Sequence, residues 1–512
     1  MTVRQEIVKL IRQSSGAYSG KIRIEHPEDK KYGDYSTNFA LQLKTDPEKI
    51  SLKLKNKNSG MFEKIETAGP GFINFFLSKS CLQKQVKEIL KKGDGFGELK
   101  IGKGKKVNVE FISANPTGPL TLGNGRGGFC GDVLANILER AGFRVEREYY
   151  INDTGEQVKK LGHSVLDDSQ AVYRGDYIAC LRKKIKGKNA DNVGEKSAKV
   201  ILEEMIKPTT RKMEIKFDNW FSEKTLYKNK ETEKTLYFLK KKKLLYQKEG
   251  ALWFKSSAFG DDKDRVLIKA DGQPTYLLSD IAYLKNKINR GFKALFFFWG
   301  ADHFGYINRI KAAAEAFSFD KNHVKIIIMQ LVRLVRKGKE VKMAKRSGIY
   351  ITIDQLIDEV GLDVARFFFL SRAPNSHLNF DLDLAKEQSE KNPVYYVQYA
   401  YARICSILLK SPNVKAQSPN LKLLDHNSEL DLIRKLIIFP EIIEDISKDY
   451  QVQRLPHYAT DLAAAFHQFY RDCKVLNGGN SLSEARLALV LAVQIVLKNT
   501  LFLMGVSAPK KM

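Results

Sequence analysis

Two short stretches hold the residue types best suited to chemistry. The first, SANPTGPLTLGNGRGG (Ser113–Gly128), follows the alternating apolar run Val107, Val109, Phe111 and precedes an apolar pattern with helical spacing. Gly118, Gly123, Gly125, Gly127 and Gly128 remove side chains where backbone must approach a ligand or an adjacent strand. A strand, a glycine-rich turn and a helix in that order present free N–H groups at a helix N-terminus, which can receive phosphate. A purely structural glycine-rich turn would look similar. The second stretch, KGKEVKMAKRSG (Lys337–Gly348), sets Lys342 and Lys345 three apart in a glycine-bounded segment with Arg346 beside them. A loop of this kind can bring cations onto a triphosphate and neutralise a departing pyrophosphate. In so Lys-rich a chain, an ordinary basic hairpin would carry the same residues.

The elements that must position these stretches fall into three blocks. Residues 1–77 combine a helix-like start (MTVRQEIVKL), a polar turn at Gly33–Asn38, a helical FALQL and a closing strand in GPGFINFFLS. With the Lys-rich break at Lys91–Lys106, this predicts an N-terminal domain over 1–90. From 105 to 380, strands alternate with helices, with a charged and less regular insertion at about 160–250. Phe129, Val133, Leu134, Ile137, Leu138 and Ala141 form one apolar stripe, and Gly142 is placed to end that helix. VEREYYI, ALFFFW and VKIIIMQL read as further strands, and INRIKAAAEAF reads as a helix. The fold class expected is α/β, a doubly wound parallel sheet with ligands at the carboxyl ends of its strands. From 385 to 512 only helical patterns follow: Pro393–Leu409, Asp431–Ile446, Pro456–Cys473 and Leu482–Leu503, an all-α bundle in which Tyr395, Tyr396, Tyr399 and Tyr401 serve packing.

At 512 residues the chain is too long for one ordinary core. Eighty-six Lys and Arg against 59 Asp and Glu leave a net charge of +27, a field that attracts polyanions and nucleic acid in particular. Cys81, Cys130, Cys180, Cys405 and Cys473 are scattered and never form CxxC, and the eight histidines form no HExxH, so neither a disulfide framework nor a structural metal is expected. No apolar run is read as long enough to cross a bilayer, and a soluble cytoplasmic protein is expected.

Together the two stretches resemble class I aminoacyl-tRNA synthetases, specifically the arginyl-tRNA synthetase family. SANPTGPLTLGNGRGG is similar to that family's SANPTGPL-HIGH-GRG signature and KMAKRSG to its KMSKS loop. REYYIND, WGADHFGY, the run His377–Ile404 and the ending VQIVLKNTLFLMGVSAPKKM extend the resemblance over the whole chain. The resemblance implies a Rossmann-like catalytic domain, an N-terminal additional domain that contacts tRNA and a helical anticodon-binding domain. It implies ATP-dependent ligation of L-arginine to tRNA(Arg) by a monomer, with Mg²⁺ accompanying ATP. The implied catalytic residues are Thr121, Asn124, Lys342 and Lys345. ATP binding falls on Pro119, Thr121, Gly123, Asn124, Gly125, Gly300, Asp302, His303, Lys342, Met343 and Lys345. Arginine binding falls on Glu110, Ser113, Asn115, Tyr276 and Asp280. Carboxylates suit a guanidinium, whose five donors are fixed in a plane. Glu110, inside an apolar strand, also needs a partner of its own.

The chain departs from the family pattern at HIGH, where Thr121-Leu122-Gly123-Asn124 replaces both histidines, and at Ala344, which replaces the serine of KMSKS. Asn124 keeps an amide donor. Thr121 offers one hydroxyl and no charge. Either backbone N–H groups, Mg²⁺ and the lysine loop supply the missing stabilisation, or activation is lost and only tRNA binding is kept; because the arginine pocket and both loop lysines remain, an active enzyme is expected, with a ligase for another amino acid such as lysine as a further alternative.

Overall fold

The alternating and apolar runs become strands where the periodicity places them. In the computed structural model, residues 2–15, 18, 20–58, 60–341, 351–411, 419–476 and 481–512 are described. Near the N-terminus, β1 (Tyr35–Thr37), β2 (Phe62–Ala68) and β3 (Phe72–Leu77) form an antiparallel sheet in the order β1-β3-β2. The helix Val3–Ser15 buries Val3, Ile7 and Ile11, which recur at a four-residue step and so share one face. The next helix, Lys79–Lys92, packs on the C-terminal helices Asn427–Ile437 and Ser481–Met504. The sheet itself ends at Leu77, and the following helix, which buries Leu82, Val86 and Ile89, contacts those C-terminal helices.

The central sheet holds β4 (Lys106–Glu110), β5 (Arg144–Ile151) and β6 (Asn219–Ser222). A separate antiparallel sheet, β7 (Leu245–Lys248), β8 (Ala251–Phe254) and β9 (Arg265–Ile268), follows. The chain then returns as β10 (Ala294–Gly300) and β11 (Val324–Met329). The five central strands are all parallel, in the order β11-β10-β4-β5-β6. From β4 the chain builds outward to one side, then restarts on the other with β10. The strand order therefore reverses between β4 and β10, where such sheets open a crevice for ligands. Finally β12 (Val332–Arg336) pairs with β13 (Lys339–Glu340) and with β14 (Leu378–Asp381).

The insertion expected to be irregular is ordered. It contains the helices Glu156–Leu166, Asp176–Lys184, Ala190–Ile201 and Glu231–Lys241 besides the β7–β9 sheet. Each strand there is four residues long, too short for an alternation to stand out among the lysines.

The C-terminal block is helical as expected, with one difference. The run read as Asp431–Ile446 is two helices, Asn427–Ile437 and Phe439–Asp449. Pro440 sits in the first turn of the second, the place where a missing N–H costs nothing. The expectation that no helix could span a bilayer also needs correction. Ser481–Met504 is 24 residues long with a mean hydropathy of 2.0 in its most apolar window, enough by length and composition, yet 72% of that window is buried inside the protein. Its apolarity serves the bundle interior, where a helix is contacted on all sides.

Candidate active site

β4 ends at Glu110, and the chain leaves the sheet through two residues with left-handed backbone, Ile112 (φ 65°) and Ser113 (φ 38°). Such backbone is costly for a β-branched residue and persists only where its surroundings hold it. Here they do. Ser113 Oγ accepts a hydrogen bond from the Tyr150 N–H (3.0 Å), and the Tyr149 hydroxyl donates to the Ala114 carbonyl (2.9 Å). Ser113 therefore fastens the loop to β5 and keeps its own hydroxyl proton for another acceptor. Asn115 lies half-buried on the same loop.

The loop delivers Thr121 to the start of the helix Leu122–Arg140. Asn124 Oδ1 accepts from the Thr121 N–H (3.0 Å) and from its hydroxyl (2.8 Å), a reciprocal cap of that first turn. The Thr121 hydroxyl is thus engaged by Asn124, and the Asn124 amide NH₂ is the donor left over. Gly123 is exposed, and a Cβ there would meet nothing closer than 3.9 Å. Gly125 differs: a Cβ would come within 2.5 Å of Ile353, and its N–H already donates to the Thr121 carbonyl (2.9 Å). Packing accounts for the missing side chain at that glycine. Pro119 is half-buried just before Leu120, whose carbonyl accepts from the Ile353 N–H (3.0 Å).

One turn further, Arg126 is fully buried with no carboxylate among its partners in the described residues. Its guanidinium donates to the carbonyls of Gln330 (3.0 Å), Ser376 (2.8 Å) and Ala373 (2.8 Å). It thereby fastens the helix to the backbone at the base of β12 and β14. The chain next meets this helix at Thr352, which forms a bridge with Thr121. Lys342, Met343 and Lys345, expected at the phosphates, lie outside the described residues.

Acidic groups collect at the crevice. Glu110 finds the partner its strand demanded. The Lys287 ammonium, itself fully buried, lies 2.7 Å from Glu110, 3.1 Å from Glu148 and 2.5 Å from Asn108 Oδ1. Burial alone would raise the Glu148 carboxyl, but Lys287 and Arg290 overrule it and hold it down to about 2. Asp280, in the second turn of the helix Tyr276–Asn289, has no such cation among the described residues. Burial pushes its carboxyl up to about 7, against the Tyr306 hydroxyl, which lowers it, and with the charge of Glu110, which raises it further. The charge of one carboxylate expected to hold arginine is therefore felt by the other. Tyr276 opens the same helix at the mouth, 61% exposed.

A third carboxylate was not anticipated. Glu223 directly follows β6 and is 4% exposed, with Oε2 lacking any hydrogen-bond partner among the described residues. Burial first, then Asp280, push its carboxyl up to about 7. Its position at the carboxyl end of a parallel strand was the available signal; in FSEKTLY it looks like any solvated glutamate.

On the other flank, β10 ends at Gly300, where a Cβ would come within 2.5 Å of Asp302 Oδ1. Asp302 and His303 are exposed beyond it, 3.6 Å apart, with the His303 ring 6.1 Å from Trp299. Phe297 of β10 is in register with Glu110 of β4, so this turn borders the acidic pocket.

The model of the tRNA synthetases class I (R) catalytic domain matches residues 85–175 and 179–369. The arginyl tRNA synthetase N-terminal domain matches 1–77, and the DALR anticodon binding domain matches 397–512. The chain belongs to the arginyl-tRNA synthetase family. The arginine–tRNA ligase of Caldanaerobacter subterraneus is 45% identical over 96% of this chain and 94% of its own length. Arginine–tRNA ligase 1 of Halalkalibacterium halodurans is 42% identical, covering 100% and 98%. The solved Thermus thermophilus arginyl-tRNA synthetase superposes with a TM-score of 0.81 at 21% identity over 100% of both chains, a likeness of fold. The class I catalytic sheet, the N-terminal domain and the helical C-terminal domain are therefore those of an arginyl-tRNA synthetase.

Proposed function

We propose that this chain activates L-arginine with ATP and transfers it to tRNA(Arg). The arginine carboxylate attacks the α-phosphorus of ATP, giving arginyl-adenylate and pyrophosphate. The 2′-hydroxyl of the tRNA's terminal adenosine then takes the arginyl group and AMP leaves. The observation that carries this reading is the place of Glu110, at the end of β4 where the strand order reverses, on the segment that leads into the N-terminus of the helix Leu122–Arg140. A carboxylate there suits a planar cation with several donors, and the adjacent helix end suits phosphate.

In this reading Glu110 and Asp280 hold the guanidinium, with Tyr276 at the entrance. Ser113 and Asn115 face the amino acid's polar backbone groups. The Asn124 NH₂, the open backbone at Gly123 and the Gly300–His303 turn receive the nucleotide, and Lys342 and Lys345 neutralise the leaving pyrophosphate. Mg²⁺ accompanies the triphosphate and spreads its charge. The net charge of +27 supports tRNA as the macromolecular partner, with the N-terminal and helical C-terminal domains as its further contact surfaces. The enzyme works as a monomer in this reading.

The test is charging of tRNA(Arg) transcript together with ATP–pyrophosphate exchange. Exchange that requires arginine and is not supported by lysine is the expected result. A properly folded preparation that binds tRNA and forms neither adenylate nor arginyl-tRNA would refute the proposal.

A further inference from the structure

Asn108 and Glu110 stand two residues apart on β4, so both side chains leave the same face of the sheet. Glu148 of β5 is the register partner of Glu110, which sets two carboxylates side by side on that face. Buried like charges so placed demand a cation. The helix Tyr276–Asn289 supplies it: Lys287 lies seven residues beyond Asp280, two turns on along the same helix face. Its ammonium has three protons, and each meets one acceptor: Glu110 Oε2 at 2.7 Å, Glu148 Oε1 at 3.1 Å and Asn108 Oδ1 at 2.5 Å. The rings of Tyr283 and Phe297 close on it, their centroids 4.5 and 4.6 Å away. The side chains of Lys287 and Glu148 have no solvent exposure, whereas Glu110 keeps 9% of its own. The Tyr283 hydroxyl gives its one proton to Glu148 Oε1 (2.6 Å), and Arg290 holds Glu148 Oε2. Among the described residues the hydrogen bond that Glu110's side chain accepts is the one from Lys287, on Oε2, and Oε1 is the oxygen left over.

We propose that Lys287 is a positioning residue for arginine recognition: it fixes Glu110 by Oε2 and so leaves Oε1 as the single oxygen that this residue presents to the substrate's guanidinium. A carboxylate free to turn about its last bond would meet a guanidinium through both oxygens, as a two-pronged pair. One whose inner oxygen is held by a buried ammonium with all three protons engaged cannot turn, and it accepts from one N–H alone. Because the guanidinium's donors are fixed in a plane, a single anchored oxygen also sets the angle at which that plane meets the end of β4. Lys287 thus acts on the substrate through Glu110 and does not touch it. The inference rests on arginine as the substrate and on Glu110 as one of its contacts, as proposed above.

A crystal structure of the full chain with L-arginine decides the matter without any variant. One guanidinium nitrogen should lie within hydrogen-bond distance of Glu110 Oε1, with Lys287 still on Oε2. Arginine bridging both Glu110 oxygens, or Lys287 swung off Glu110, would overturn this inference alone. Arginine bound away from Glu110, or not bound at all, would overturn the proposed site and this inference with it. Charging kinetics supply the second measurement. Lys287→Met releases Glu110 and should raise KM for arginine about 10- to 100-fold while KM for ATP stays within about twofold. Arg290→Met cuts the same cluster at Glu146 and Glu148 and leaves the Lys287–Glu110 contact in place. It should lower the denaturation midpoint as well, yet keep KM for arginine within about twofold of the wild type. An unchanged or lowered KM for arginine in folded Lys287→Met would overturn the proposal, since the substrate would then be taking the lysine's place. An equal rise in Arg290→Met would overturn it too, since the stability of the cluster would then account for the effect. Should Lys287→Met fail to fold, the arginine-bound structure still decides.

Discussion

Thr121 and Asn124 divide their hydrogen bonds unequally, and that division separates folding from chemistry. Asn124 Oδ1 caps the helix through both Thr121 donors, leaving its NH₂ for a phosphate. Asn124→Asp keeps the acceptor and adds a negative charge where the helix end favours one, so stability should hold or rise slightly. The donor is lost and the phosphate is repelled, so kcat for pyrophosphate exchange should fall about 10²–10³-fold. Exchange at the wild-type rate would show that the amide does not meet the nucleotide. Asp280→Asn removes charge from the guanidinium's partner and should raise KM for arginine about 10- to 100-fold, the worth of a charge-assisted hydrogen bond. Steady-state kinetics should show KM for ATP nearly unchanged.

Between β4, β5 and the helix Tyr276–Asn289, Lys287 joins three elements through buried groups. Lys287→Met would leave Glu110 and Glu148 buried without their shared cation, at a cost of about 3–5 kcal/mol. A denaturant titration should show this as a lowered midpoint. Lys287→Met combined with Glu110→Gln should recover part of the loss, because Glu148 keeps Arg290 whereas Glu110 pairs with Lys287 alone among the described residues. The pH dependence carries opposite signs at the two ends of this cluster. Glu148, held at about 2 against an ordinary 4.5, adds stability that is present above 4.5 and disappears as pH falls through about 2. Asp280 and Glu223, raised to about 7, bind protons more tightly folded than unfolded, so they subtract stability as pH climbs from their ordinary range toward 7. In arginine-free enzyme the denaturation midpoint should therefore carry a declining component up to about pH 7. Added arginine should remove it.

Across the whole molecule, several polar side chains join the N-terminal unit to the helical block, and Glu441 gathers four of the contacts. Glu441, fully buried, accepts from the Arg4 N–H (2.9 Å) and Nε (3.1 Å) and from the Tyr35 hydroxyl (3.0 Å), and it meets His26 Nε2 at 2.8 Å. Arg434 adds a bond to Asp34 at 2.6 Å. Glu441→Gln should loosen this joint and raise KM for tRNA several-fold while KM for arginine and ATP stays within about twofold, measured by charging kinetics. How much of this could be read beforehand follows the range of each interaction. β4, β5, β10 and β11 were legible because apolar runs and a strand–glycine–helix order are local patterns, and the need of Glu110 for a partner followed from its strand alone. The identity of that partner did not, since Lys287 is 177 residues away on a helix whose spacing says only that one face is buried. Glu223 was hidden for the same reason: its carboxylate neighbours come from β5 and from a later helix. The Gly125 packing contact with Ile353 is equally remote, and glycine leaves no side chain by which to guess it.

Arg126 grips three peptide oxygens rather than any side chain. The identities of residues 330, 373 and 376 are consequently irrelevant to the clasp, and those sites are free to drift over evolutionary time. What selection must conserve there is a path through space, so a deletion or an inserted residue in either segment should harm the enzyme far more than any exchange of one amino acid for another.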